Sequence, residues 1–332
     1  MRPTQLIEAV NDCIDMRKPF FIWGPPGIGK SKIVQTIAAT RKLQLRDVRL
    51  SQMDAVDIRG FPSPDHAKRV MNWLPPGFLP TDKRGKGLIF LDELNSAPQA
   101  NQAPCYQLLL DRRLGDYELP ESWSIGAAGN RTTDRAIVHE MSSALKSRMI
   151  HLDLDVSVDD WKTYARSEGI NPNIIGYISY RNENLHHFEP NSKSPAYPCP
   201  RTWFDVDMIE KQRFGKDRGV TRALIKGAVG EAVGFDYETY LESAAHLPDP
   251  VEVRMNPDKV VVMSSPAACH AVVSMLVGHT TPTTFPAYLK YVKRMTKEFQ
   301  VVYIRDTIVH DPKVKSLPEY RDWCLENQDV LF

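Results

Sequence analysis

Short apolar runs alternate with longer stretches of helical spacing through the first half of this chain. Phe20–Trp23, Leu45–Leu50, Leu88–Leu91, Ser124–Ala128 and Met149–Leu154 are too short for helices and read as strands. Between them, sets such as Ile33, Val34, Ile37 and Ala38 recur at helical intervals and predict helices with one buried face. Strands alternating with helices predict a parallel sheet covered on both sides. After Asp155 the pattern changes. Ser157 and Asp160 are spaced as a capping box ahead of Trp161–Ala165, and helical spacing dominates to about Leu247. Glu189–Pro200 is too rich in proline to be helix, and Leu247–Lys259 is a second break. Beyond it, helix mixes with one predicted strand, Val301–Ile304. The patterns divide the chain into an α/β domain at 1–153, a helical region at 154–246 and a C-terminal extension at 247–332, packed on that region.

Composition narrows the class. A chain of 332 residues that is 42% hydrophobic and 25% charged has the make-up of a soluble globular protein with more than one core. A formal net charge of +1 gives no general attraction to nucleic acid or to anionic membrane. The five cysteines are scattered and form no CxxC pair, which argues against a disulfide framework or a zinc site and for a reducing compartment. No apolar run approaches membrane-spanning length, and the first residues carry no signal-peptide core. The expectation is a cytoplasmic protein. The basic clusters Lys211–Gly219 and Lys290–Lys297 read as solvated faces, the second as an amphipathic helix with Tyr291, Val292 and Met295 inward. Neither is interleaved with stacking aromatics, so nucleic-acid binding is not the expectation. No set of His, Cys and carboxylates has metal-ligand spacing.

The candidate chemistry lies in the α/β half. Gly24, Pro25, Pro26, Gly27, Ile28, Gly29, Lys30 and Ser31 match G-x-x-x-x-G-K-[ST], between an apolar strand and a helical pattern. Backbone N–H groups of such a loop turn inward around phosphate oxygens, and the helix start adds a favourable dipole. Lys30 would reach the β- and γ-phosphates, and the Ser31 hydroxyl would sit on Mg²⁺. The run Leu88–Leu91 ends in Asp92 and Glu93, so a buried strand delivers two carboxylates to the sheet edge where ligands bind. Asp92 suits the Mg²⁺ shell, and Glu93 suits deprotonating or orienting an attacking water. An adjacent Asp-Glu pair argues for ATP hydrolysis by a motor-type enzyme over a small-molecule kinase or a GTPase switch. A further apolar strand ends at Asn130, whose amide could bond both the γ-phosphate and the water, or could simply start a turn.

With these residues the chain resembles the AAA+ ATPases, and within them the MoxR group, over residues 1 to about 205. Gly24–Ser31 is similar to their Walker A motif, Leu88–Glu93 to Walker B and Asn130 to sensor 1. In "LDELNSAPQANQAPCYQLLLDRRLGDYELPES", Asn95 and Arg113 occupy positions matching the MoxR run. Asp54–Pro80 sits where the family carries its helix-2 insert, and "PCPRTW" resembles sensor 2, which places Arg201 at the start of a lid helix. Val70 and Trp73 in the insert fit either a surface hairpin packing an aromatic onto its own domain or a loop facing a pore or partner. The resemblance implies a RecA-like core with a five-stranded parallel sheet and an all-α lid. It also implies ring oligomers, usually hexamers, with ATP and Mg²⁺ at subunit interfaces. A von Willebrand factor A-domain protein is the implied partner, and a protein substrate is remodelled or activated.

Arg148, in "SSALKSRMIHLDL", has two readings. It is a cation in a helix's last turn, or the arginine finger that AAA+ proteins place between sensor 1 and the next strand. Arg113 is the other candidate for a residue acting from the neighbouring subunit. A different class remains open: a DNA-acting AAA+ protein, clamp-loader-like or a restriction-type translocating subunit. A nucleotide-gated binding module without turnover is opposed by Glu93 and Asn130.

Overall fold

The computed structural model describes residues 1–82, 84–131, 141–189 and 194–328, and the chain divides into two compact units, Met1–Ser157 and Val158–Phe332. In the first unit the strands are β1 (Phe20–Trp23), β2 (Gln44–Arg49), a hairpin of β3 (Phe61–Asp65) and β4 (Val70–Leu74), then β5 (Gly87–Asp92). A second hairpin, β6 (Arg113–Leu114) and β7 (Tyr117–Glu118), precedes β8 (Trp123–Gly129) and β9 (Ile150–Asp153). The five apolar runs became β1, β2, β5, β8 and β9, each to within one residue at either end. They form a single sheet in the order β2-β5-β8-β1-β9, with all pairings parallel.

Burial explains which runs were easiest to read. Every residue of β5 and β8 is buried, as expected of central strands covered on both faces. The edge strands β2 and β9 keep polar, exposed positions, which suits the rims of a sheet. The pleat sorts side chains by alternation. Phe20, Ile22, Leu88 and Phe90 pack with Leu6 and Val10 of α1 (Pro3–Asp15) and Val34 and Ile37 of α2 (Lys30–Thr40). Phe21, Ile89, Leu91 and Ile125 share the opposite layer with Ile58 of α3 (Ala55–Arg59) and Leu108 of α4 (Gln99–Asp111). A short α5 (Ser143–Lys146) leads into β9. Because the strands are parallel, Trp23, Asp92 and Gly129 all leave the sheet at one edge.

The insert at 54–80 folds as α3 and the β3–β4 hairpin. No large apolar side chain of the hairpin is buried: Phe61, Val70, Met71 and Leu74 are exposed, and Trp73 is 44% exposed. It is therefore not a hairpin that sinks its aromatic into the core of its own unit.

Among its described residues the second unit is helical and contains no strand. Its first helices are α6 (Val158–Ser167), α7 (Pro172–Tyr180), α8 (Pro200–Arg213), α9 (Arg218–Val229) and α10 (Glu231–Ala244). They are followed by α11 (Pro250–Met255), α12 (Pro266–Gly278), α13 (Phe285–Val292), α14 (Lys297–His310) and α15 (Pro318–Glu326). Since α12 packs against α7, α10 and α14, the segments before and after residue 247 share one unit. Tyr291, Val292 and Met295 are buried as the amphipathic reading requires. The strand expected at Val301–Ile304 is instead part of α14. Its β-branched residues favour strand locally. The buried set Phe299, Gln300, Tyr303, Ile304, Asp306 and Thr307 follows helical spacing, and packing overrides local preference.

One polar cluster lies inside this unit. Asp306 on α14 accepts from Lys162 Nζ at 2.6 Å and from Arg166 Nη2 at 2.8 Å, both on α6. The side chains of Lys162 and Asp306 are only 3% and 7% exposed. Burial alone would raise the Asp306 pKa, but the two cations outweigh it and hold the carboxyl below its ordinary value. Lys162 is itself pulled down, because its burial outweighs a carboxylate that it shares with Arg166. Among the described residues, no helix is long and apolar enough to cross a membrane, and no His, Cys and carboxylate cluster could hold a metal.

Candidate functional site

The loop from Gly24 to Gly29 joins the C-terminal end of β1 to α2. Gly29 caps α2 at φ +96°, a left-handed conformation that a side chain would strain, so the helix can begin abruptly with its N–H groups turned into the loop. Ile28 points the other way and is buried with the core of α1 and α2, anchoring the loop. Lys30 is buried, and its ammonium donates to Gly24 O at 2.6 Å, Pro25 O at 3.0 Å and Asn130 Oδ1 at 3.0 Å. The lysine of one segment thus meets the amide of another, 100 residues away.

The carboxylate pair lies beside them. Ser31 Oγ donates to Asp92 Oδ2 at 2.5 Å, and the other Asp92 oxygen accepts the Glu93 N–H at 2.9 Å. That second bond fastens Glu93 in a left-handed conformation, φ +57°, which costs a non-glycine residue about 1–3 kcal/mol and is typical of functional sites. The Glu93 carboxylate accepts from the Ser51 hydroxyl, on the turn Leu50–Gln52 that ends β2. The Asp47 carboxyl, also on β2, is raised above its ordinary value by desolvation first and by the Asp92 charge second, although the residue keeps an exposed edge. Asn95, in the turn Leu94–Ser96, donates from Nδ2 to Asn130 O at 2.7 Å.

Lys30, Ser31, Asp92, Glu93 and Asn130 therefore converge at the C-terminal edge of the sheet. Within the same unit, Arg148 and Arg113 do not join them there. Arg148 is exposed on the turn between α5 and β9. It lies two residues before Ile150, whose register partner is Phe20 at the start of β1. Arg148 thus sits at the opposite sheet edge, separated from the loop by the length of β9, about 13 Å. Arg113 pairs with Glu118 across its own β6–β7 hairpin. Arg201 is exposed in the first turn of α8, in the second unit.

Ser51 is the site residue that sequence reading missed. It carries no motif, and its closeness to Glu93 follows only from β2 lying next to β5 in the sheet.

Residues 19–149 match the model of the AAA domain family, dynein-related subfamily. That span contains Gly24–Ser31, Asp92, Glu93, Asn130 and Arg148. Among solved structures, NtrX from Brucella abortus is 15% identical over 73% of this chain and 61% of its own, with a TM-score of 0.42. The RuvB Holliday junction branch migration motor of Thermotoga maritima is 16% identical over 88% of this chain and 86% of its own, also with a TM-score of 0.42. Overlaps this low say nothing of activity.

Proposed function

We propose that the AAA domain at residues 19–149 makes this chain an ATPase similar to the MoxR group, working in a ring of like subunits to remodel a protein substrate. The observation that carries the hydrolytic reading is the meeting of Ser31 with Asp92 at 2.5 Å and of Lys30 with Asn130 at 3.0 Å. A hydroxyl and a carboxylate side by side are the hard oxygen donors that suit Mg²⁺. Bound with the nucleotide, Mg²⁺ would be held by Ser31 and Asp92 and would neutralise charge on the β- and γ-phosphates. Lys30 exchanges loop carbonyls for phosphate oxygens of ATP. Glu93, once it leaves the Ser51 hydroxyl, accepts a proton from the attacking water, and the Asn130 amide orients that water.

Arg148 supports the ring reading. It lies at the sheet edge away from its own phosphate loop, where it would act in the transition state on a neighbour's nucleotide. Arg201, at the start of a helical-unit helix, would sense the nucleotide from the lid. The exposed hairpin with Phe61, Met71 and Trp73 is the surface offered to a substrate or to a von Willebrand factor A-domain partner.

Two measurements test this. Purified chain should release phosphate from ATP with Mg²⁺, and Glu93→Gln should keep nucleotide binding while turnover falls about 10²–10⁴-fold. The same variant, held in the ATP state at its source, should retain a protein. Recovery of nucleic acid alone, with binding that falls steeply with salt, would replace the protein-remodelling reading by a DNA-acting one.

A further inference from the structure

We propose that Asn95 is a positioning residue of the hydrolytic centre, tying the turn after Glu93 to the backbone of Asn130. The inference rests on the ATPase reading above and adds to it a residue that acts through another. Asn95 is 2% exposed, two residues beyond Glu93 in the turn Leu94–Ser96. Its Nδ2 donates to Asn130 O at 2.7 Å, and Asn130 Oδ1 in turn accepts from Lys30 Nζ at 3.0 Å. One chain of hydrogen bonds thus runs from the carboxylate turn through the end of β8 to the phosphate-loop lysine.

The neighbouring backbone is shaped for this contact. A Cβ on Gly129 would lie 1.9 Å from Asn95 Oδ1, so the end of β8 approaches the turn as closely as it does only because residue 129 is glycine. The direction of the amide follows from its partner, since a carbonyl oxygen can only accept and must face Nδ2. Asn95 Oδ1 then points at Gly129 and finds no hydrogen-bond partner in the chain among the described residues. A buried acceptor left unpaired is destabilising, a cost that a leucine of similar shape would avoid. What asparagine offers in exchange is one donated bond to Asn130.

The consequence is geometric. Glu93 and Asn130 come from adjacent strands, and both must address the same water. A misplacement of about 1 Å between such groups costs on the order of 10²-fold in rate. Asn95 fixes their separation without touching the nucleotide.

The test is a double-mutant cycle with a structural readout. Asn95→Leu, with Asn95→Ala as the alternative should the leucine not be accommodated, is made in the wild type and in Asn130→Ala. In the wild type, kcat should fall about 10- to 100-fold with KM changing less than about threefold. In Asn130→Ala the bond to the backbone is still available, but the side chain it positions is gone, so the same substitution should change kcat less than about threefold. The crystal structure of the single variant should show Asn130 Oδ1 withdrawn from Lys30 Nζ. Multiplying losses in the double variant, or an unmoved Asn130, would overturn the inference. A wild type without ATPase activity would defeat the hydrolytic reading instead, and the position of Asn130 in the variant's crystal structure would still decide the role of Asn95.

Discussion

The Ser51 hydroxyl donates to the Glu93 carboxylate, joining the end of β2 to the end of β5 across 42 residues of sequence. Under the proposed mechanism, this bond holds the oxygen that would take the proton of the attacking water. Ser51 would then restrain the base it touches. Ser51→Ala should raise basal ATP turnover by up to about tenfold, the effect of roughly 1.4 kcal/mol off the barrier. Steady-state phosphate release measures it, and a fall in turnover would show that Ser51 aims Glu93 rather than restraining it.

Arg148 and Arg113 are the two candidates for a residue acting from a neighbouring subunit. Arg148→Ala should leave melting temperature and nucleotide affinity nearly unchanged while turnover drops about 10³–10⁵-fold. Mixing it with Glu93→Gln should restore part of the activity, since each chain supplies what the other lacks. Arg113 already has Glu118 as partner, and an exposed pair contributes about 0–1 kcal/mol. Arg113→Ala should therefore alter turnover less than about threefold. Wild-type turnover in Arg148→Ala would remove the main reason to expect an obligate oligomer.

Asp306 sits in a buried ion-pair cluster of the helical unit. Its removal strands Lys162 and Arg166 together in a buried place. Asp306→Asn should destabilise the unit by about 3–5 kcal/mol, read as a lower urea midpoint in the unfolding of the purified chain. A shift below about 1 kcal/mol would mean that the cations relax outward to water.

The same carboxylate predicts an acid response. Its folded-state pKa is held below the unfolded value of about 3.9, so the stability it contributes is complete well above that pH. It is lost as pH falls below the unfolded value and through the folded one. Between pH 6 and pH 3 the wild type should lose more stability than Asp306→Asn, in which this group no longer titrates. Equal losses in the two would assign the acid sensitivity to other groups.

The sequence by itself determined the five core strands and the chemistry at their ends. Each of those strands is an apolar run bounded by local breaks, and Gly24–Ser31 and Asp92-Glu93 are contiguous motifs whose meaning depends on the strand beside them. The burial of β5 and β8 from both faces is also local information, because it erases the alternation a half-exposed strand would show. The tertiary structure decided what depends on partners far along the chain. Val301–Ile304 is helix because its buried residues pack at helical spacing, against the preference of its β-branched side chains. Ser51 reaches Glu93 only because β2 adjoins β5, and Asn95 reaches Asn130 only because β5 adjoins β8. Parallel strands are joined by crossovers, so neighbours in the sheet are distant in sequence, and no local pattern records which will meet.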